Sequence, residues 1–337
     1  MEKKALVFGG TGAMGVYLVP KLAKQGYKVD VVSLDNIISD DERIRYIQAD
    51  LKDISFVTDI LKNKYDIFVD FMVYSTPEFL QRYRMYLENV KQYFYFSTYR
   101  IYDNFTPITE GSPRLADTRF DPVYVNSQDY SFYKARQEDI LRNSEYKNWT
   151  IFRPAVTYSK SRFQLVTLEA SVLVWRMMRG KTVLLPEKAL DCQATMSWAG
   201  DVAEMILRII ENPKTACETF TISTSEHHTW REIAEYYKEI GGLDYIAVDT
   251  EDYLKCLSDD DSIHLRQQLT LDRYFERIVD NSKVLKFTGM KQEDLMPLKE
   301  GLRLELAKID KNKRWWNDFS QEKMDRVDSY LKSIGIE

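Results

Sequence analysis

Tyr130 and Lys134, in the run Tyr-Ser-Phe-Tyr-Lys, stand four residues apart. On a helix that spacing puts a phenol and an ammonium on one face. The lysine charge favours the phenolate and draws a tyrosine pKa down from about 10, which suits Tyr130 to proton transfer; Lys134 can also hydrogen-bond a ribose hydroxyl. The pair is a common accident in a chain with 22 tyrosines, so its weight depends on what stands with it. Ser97 and Thr98 end a β-rich run at 93–97. Hydroxyls at the C-terminal end of a parallel strand lie where doubly wound folds place their ligand crevice. A third signal is Gly9-Gly10-Thr11-Gly12-Ala13-Met14-Gly15, which directly follows an apolar run and precedes helix-compatible residues. There Gly9 permits a tight turn, Gly12 lets backbone N–H groups approach a pyrophosphate and Gly15 lets the helix pack closely on the sheet. Thr11, Ala13 and Met14 complete that loop as backbone contacts.

Cofactor choice falls at the end of the second strand, where an acidic residue would accept from the adenosine ribose 2′-OH and repel a 2′-phosphate. Ser33 and Asp35 are the candidates, and no Arg follows Ser33, which favours NAD, with NADP the alternative. Arg43 and Arg45 would matter if the loop folded back. Asp50 is read either as a contact to the adenine edge or as the cap of the helix before Ile54.

The elements that must hold these groups alternate. Strands are expected at 5–8, 29–33, 44–47, 67–73, 93–97 and 149–152, and helices at 14–24, 54–62, 78–89 and 128–143. Such alternation makes a Rossmann-type α/β fold with a doubly wound parallel sheet. Beyond residue 155 the pattern becomes mostly helical, at 165–179, 201–210, 230–240, 295–308 and 322–333. A dinucleotide-binding domain at 1–155 and a smaller substrate lobe at 156–337 are therefore expected, with some later segments returning to the core.

Composition narrows the function classes. The 337 residues are 44% hydrophobic and 29% charged, with a net charge of −5. A mildly acidic chain argues against a dedicated nucleic-acid binder, which needs a basic face. No run approaches the roughly 20 apolar residues of a membrane span. Three cysteines without a C-x-x-C pair exclude a disulfide framework or zinc ribbon and fit a reducing cytoplasm. The adjacent His227 and His228 face different directions and read as a helix-start loop, so no metal is expected. The acidic run 259–261 reads as a solvated loop. Lys311 to Trp316 mixes cations with indoles, which could stack on bases but more commonly pack onto the domain.

Together, the glycine loop, Ser97-Thr98 before Ile101-Tyr102, Tyr130 to Lys134, Arg153-Pro154, Trp198-Ala-Gly-Asp201-Val-Ala203 and Asp280-Asn-Ser-Lys283 before Gly289 give a resemblance over most of the chain. The sequence resembles the extended, atypical short-chain dehydrogenase/reductase superfamily, specifically the NAD-dependent epimerase/dehydratase family. It looks most like the branch holding bacterial proteins of unassigned substrate and chloroplast stem-loop RNA-binding proteins. The resemblance implies Thr98 as the hydroxyl that orients substrate, with Ser97 as fallback, Tyr130 as acid/base and Lys134 as its modulator. It also implies NAD-dependent hydride transfer on a sugar or nucleotide-sugar, and a homodimer formed through a pair of helices. An NADPH-dependent reductase and a non-catalytic dinucleotide-sensing or RNA-binding protein are the rival readings. The chain departs from the pattern at Asp103, where Gly is usual, and at Tyr133, where Ser is usual. Residues 191–196 also lack the arginine that commonly holds a nucleotide-sugar diphosphate. Arg162, Arg176 and Arg179 are the candidates to replace it.

Overall fold

A computed structural model describes residues 2–127, 129–258, 263–310 and 318–336, the side chains of 318–320 excepted. The acidic run 259–261 and the segment Lys311 to Trp316 lie outside the described residues. The first half alternates as expected: β1 (Lys3–Phe8), α1 (Gly15–Lys24), β2 (Tyr27–Ser33), β3 (Ile44–Gln48), α2 (Ile54–Leu61), β4 (Tyr65–Asp70), α3 (Thr76–Asn89) and β5 (Val90–Phe96). Two short helices, α4 (Leu115–Thr118) and α5 (Pro122–Val125), then lead into α6 (Tyr130–Arg142) and β6 (Trp149–Phe152). Seven parallel strands form the central sheet in the order β13-β6-β5-β4-β1-β2-β3, where β13 is Glu218–Phe220. The order reverses direction between β1 and β4, and the crevice outside the strand ends at such a switch point is where open α/β sheets bind ligands.

Alternation along β1 builds two cores, because successive side chains point to opposite faces of a strand. Ala5 and Val7 pack with Leu18 and Leu22 of α1 and with Val202 and Ile206 of α8 (Ala199–Ile210). Leu6 and Phe8 pack with Val57 and Leu61 of α2 and with Phe79 and Leu87 of α3.

Past β6 the chain makes β7 (Val156–Tyr158), the hairpin β8 (Gln164–Leu165) and β9 (Leu168–Glu169), α7 (Ala170–Met177), β10 (Val183–Pro186), β11 (Gln193–Ala194) and β12 (Met196–Trp198). After α8 and β13 come β14 (His228–Thr229), α9 (Trp230–Gly241), β15 (Tyr245–Val248), α10 (Thr250–Leu257), α11 (Ile263–Gln268), α12 (Ser282–Thr288), α13 (Leu298–Leu306) and α14 (Asp318–Ser333). The helix expected from residue 165 starts only at Ala170. The residues before it form a hairpin whose turn residue Val166 has φ of 53°, a left-handed conformation a helix cannot continue through. The strand expected at 67–73 ends at Asp70, whose carboxylate accepts the Met72 N–H at 3.1 Å and turns the chain. Short strand pairs in the second lobe, such as β10 with β15, carry no alternation long enough to be read from sequence.

Candidate functional site

The glycine loop closes tightly around β1. Gly9 has φ of +69°, which a side chain disfavours, and a Cβ on Gly15 would sit 2.2 Å from the Gly10 carbonyl oxygen. Gly10, given no separate role in the sequence reading, is wedged so that its Cβ would meet Val31 at 2.7 Å and Val7 at 2.9 Å. Gly12 is exposed. The N–H groups of Ala13 and Met14 find no acceptor among the described residues, at the mouth of α1, whose N-terminus carries partial positive charge. This cradle fits a dinucleotide pyrophosphate.

The loop is held from the second lobe. Ser159 Oγ donates to the Ala13 carbonyl at 2.8 Å, and Lys160 Nζ donates to the Thr11 carbonyl at 3.0 Å. The Lys160 N–H in turn donates to Glu305 Oε2 at 3.1 Å. Glu305 is buried and also accepts from Tyr17 Oη, from Trp198 Nε1 at 2.8 Å and from Lys308 Nζ at 2.9 Å. Apart from Lys308, three residues from Glu305, these ties join positions more than a hundred apart in the sequence, where no spacing could show them.

At the other cofactor positions, Ser33 ends β2 and its Oγ accepts the Asp35 N–H at 3.1 Å, so both stand on one turn at the strand end. Arg45 makes a bidentate pair with Asp30 at 2.8 and 2.7 Å, near the start of β3. That commitment takes it away from the Ser33 end of the sheet. Asp50 does not cap α2: its Oδ1 accepts the Lys52 N–H at 2.9 Å, and Asp53 makes the cap by accepting from Ser55 and Phe56.

Tyr130, Lys134, Thr98 and Ser97 meet in one cavity of about 330 Å³, to which Met14 of the glycine loop also contributes. Helix α6 is aimed there by its N-cap Asp129, which accepts the Ser131 N–H at 2.8 Å. Buried Gln137 fixes the same helix, accepting from Tyr95 Oη at 2.6 Å and donating to the Tyr74 carbonyl at 2.7 Å. Thr98 is extended, and its hydroxyl caps the 3₁₀ turn Tyr99–Ile101 by accepting the Arg100 N–H at 3.2 Å. Ser97 lies deeper, beside Glu138, whose carboxyl burial pushes up but Arg153 and the Ser97 hydroxyl hold below its usual range. Lys134 is buried, with Nζ donating to the Phe96 carbonyl at 2.6 Å. Burial lowers its pKa to about 8 against the support of Asp70 and Glu138.

Lys134 Nζ lies 5.8 Å from the Tyr130 ring centroid. Burial raises the Tyr130 pKa, and the cations that oppose it are Arg162 and Arg100, the latter 5.5 Å from the ring centroid. The lysine also donates to the Phe96 carbonyl, which the i, i+4 spacing could not reveal.

Of the three substitute arginines, only Arg162 lines the cavity. Arg176 is buried and pairs with Asp328 at 2.6 Å, and Arg179 stacks on Trp175 at 4.4 Å. The sequence reading missed Arg100, Arg273, Gln164 and Gln268, all on the cavity wall, and Asp70 behind Lys134. Asp70 had a signal: a carboxylate inside the apolar run Ile-Phe-Val-Asp-Phe. So did Asp272-Arg273, set between Leu271 and Phe275, and Arg277, just before Ile278. His228 pairs with Glu226 at 2.8 Å beside the capping box of α9, which accounts for the histidine pair.

A parallel seven-stranded sheet with a glycine-rich first turn and a Tyr-x-x-x-Lys helix beside the fifth strand defines a Rossmann-type α/β protein. Residues 5–78 match the NAD dependent epimerase/dehydratase family. Over 258 residues the chain is 24% identical to the chloroplast stem-loop binding protein of 41 kDa b of Arabidopsis thaliana; the match covers 72% of this chain and 64% of that relative's length. The fold is that of an epimerase of Methanothermobacter thermautotrophicus, at a TM-score of 0.70 with 14% identity, covering 97% of this chain and 95% of that one. It is likewise that of dTDP-glucose 4,6-dehydratase of Bacillus anthracis, solved in complex with NAD, at 0.68 with 16% identity, covering 94% and 99%. Among the described residues no helix is long and apolar enough to cross a membrane.

Proposed function

We propose that this protein is an NAD-dependent epimerase or dehydratase acting on a carbohydrate derivative, the epimerase reaction being preferred, with Tyr130 as the acid/base. The observation that carries this is the convergence of Tyr130, Thr98, Lys134 and the loop residue Met14 on one cavity at the sheet's switch point. The family match over the glycine loop supports the dinucleotide, and the turn at Ser33 and Asp35 supports NAD over NADP. Bound NAD would supply the hydride acceptor and donor, its pyrophosphate held by the N–H groups of Ala13 and Met14. Thr98 orients a substrate hydroxyl, and Tyr130 takes the proton from its oxygen and later returns it. Arg100 and Arg162 favour the phenolate, while Lys134 holds the ribose side of the cavity. A carbohydrate substrate also agrees with the dehydratase whose fold the chain shares.

Two measurements test this. Small molecules released from the native protein should contain NAD in near one-to-one ratio, and a protein that does not release NAD and does not bind it on titration would refute the reading. Against a panel of sugars, sugar acids and nucleotide-sugars followed by NMR, Tyr130→Phe should cut turnover by roughly 10²–10⁴-fold while NAD binding stays intact. Undiminished turnover in that variant would remove Tyr130 from the mechanism.

A further inference from the structure

Beyond Tyr130 the cavity wall turns cationic. Arg100, Arg162 and Arg273 line it, with Arg277 directly behind. Two of these are fully committed. Arg273 donates to the Val166 carbonyl at 2.7 Å and pairs with Asp272; Arg277 donates to Asp272 at 2.8 Å and to the Tyr102 carbonyl at 3.0 Å. Both oxygens of Asp272 are thereby taken.

Arg100 is left with weaker partners. Its Nε approaches Asp272 only to 3.3 Å and its Nη2 approaches Asp129 only to 3.6 Å, while Asp129 already caps α6. Arg162 is exposed at the cavity mouth and makes no salt bridge among the described residues. Glu169 also lines the wall, but its carboxylate takes the Gln164 amide. Four guanidiniums therefore face three carboxylates, and the two with spare donors flank the phenol that would do the chemistry. A guanidinium presents forked N–H donors that match carboxylate and phosphate oxygens. The cavity's 330 Å³ is at the small end of ligand sites, room for one sugar ring beside a nicotinamide.

We infer that Arg100 and Arg162 form an anion subsite next to Tyr130, which takes the carboxylate or phosphate substituent of a monosaccharide substrate. The inference rests on the reading of this cavity as the substrate site. Arg162 is the better handle, because Arg100 is built into the buried ion cluster and its loss could disturb folding.

The test is calorimetric titration of the NAD-saturated full chain with D-glucuronate, D-glucose 6-phosphate, inorganic phosphate and D-glucose. At least one anionic probe should bind and D-glucose should not; which anion binds tighter separates carboxylate from phosphate. Arg162→Met, at unchanged melting temperature, should weaken anion binding by about tenfold or more, the loss of one charge-assisted hydrogen bond, and Arg162→Lys should restore part of it. Equal affinity for D-glucose, an anion affinity untouched by Arg162→Met, or no anion bound below roughly 10 mM would overturn the subsite. Tyr130→Phe should bind the anion as the unaltered protein does. A catalytically unimpaired Tyr130→Phe with intact anion binding would thus fault the proton-transfer reading alone, and lost anion specificity with a working Tyr130 would fault the subsite alone.

Discussion

Asp70 is the residue on which the electrostatics of the site turn. It is buried at the end of β4 and accepts from Tyr93 Oη at 2.9 Å, Tyr74 Oη at 3.2 Å and the Met72 N–H at 3.1 Å. Burial still raises its pKa to about 6, while burial lowers Lys134 to about 8. The raised Asp70 value gives stability that is present below its ordinary 3.8 and lost as pH rises through about 6; the lowered Lys134 value gives stability present above 10.5 and lost as pH falls through about 8. Between about 6 and 8 both groups are charged and both work against folding, so the fold keeps a buried ion pair where the chemistry needs it. If a charged Lys134 is required, kcat/KM should fall on the alkaline side with a limb near 8. Asp70→Asn removes the carboxylate that supports the ammonium and should move that limb to lower pH. A pH–rate profile of the two proteins checks this, and an unmoved limb would detach Asp70 from Lys134.

At the level of elements, the connection after β7 does two jobs. Residues 159–160 hold the glycine loop, and residues 162–169 form the cavity wall. In a trans peptide the carbonyl and the next N–H point in opposite directions. Ser159 on the Ala13 carbonyl therefore turns the Met14 N–H away from the second lobe, toward the place a pyrophosphate would occupy. Pre-set donors bind an anion without first being ordered. Ser159→Ala should weaken NAD binding by roughly three- to tenfold, the worth of one ordinary hydrogen bond, and leave adenosine binding unchanged, as read by calorimetry. If adenosine weakens equally, the substitution has disturbed the fold and not the loop. Lys160 has φ of 40° and Glu305 anchors its N–H, so the connection is held in a conformation that an unanchored lysine rarely takes.

At the scale of the whole molecule, the second lobe is needed to finish the first. Strand β13 pairs with β6, Phe220 enters the core formed by α1 and α8, and Lys283 donates to the Thr219 carbonyl at 2.8 Å. Behind the site, Arg153 pairs with buried Glu138 and donates to Tyr102 Oη at 2.7 Å. A fragment ending at residue 155 would expose the β6 edge and the apolar face that α8 covers. It should lack cooperative unfolding by circular dichroism, whereas the full chain should unfold in a transition shared by both lobes; a fragment that melts cooperatively would show that the first lobe stands alone. The strand–helix order, the glycine loop and the Tyr130, Lys134, Thr98 and Ser97 group were legible in the sequence, because periodicity and local spacing encode neighbours along one element. Of the two readings of Asp50 the cap alone fails, because Asp50 and Asp53 are both able to cap and only the backbone geometry chooses. What the tertiary structure alone decided is which charge faces which. Lys134 donates to a strand carbonyl, Arg100 lies over the phenol ring, and Arg162 lines the same cavity. Ser159 reaches Ala13, and Glu305 gathers donors from three distant segments, at Tyr17, Lys160 and Trp198. Contacts of that range depend on how elements pack, and packing leaves no spacing in the chain to read.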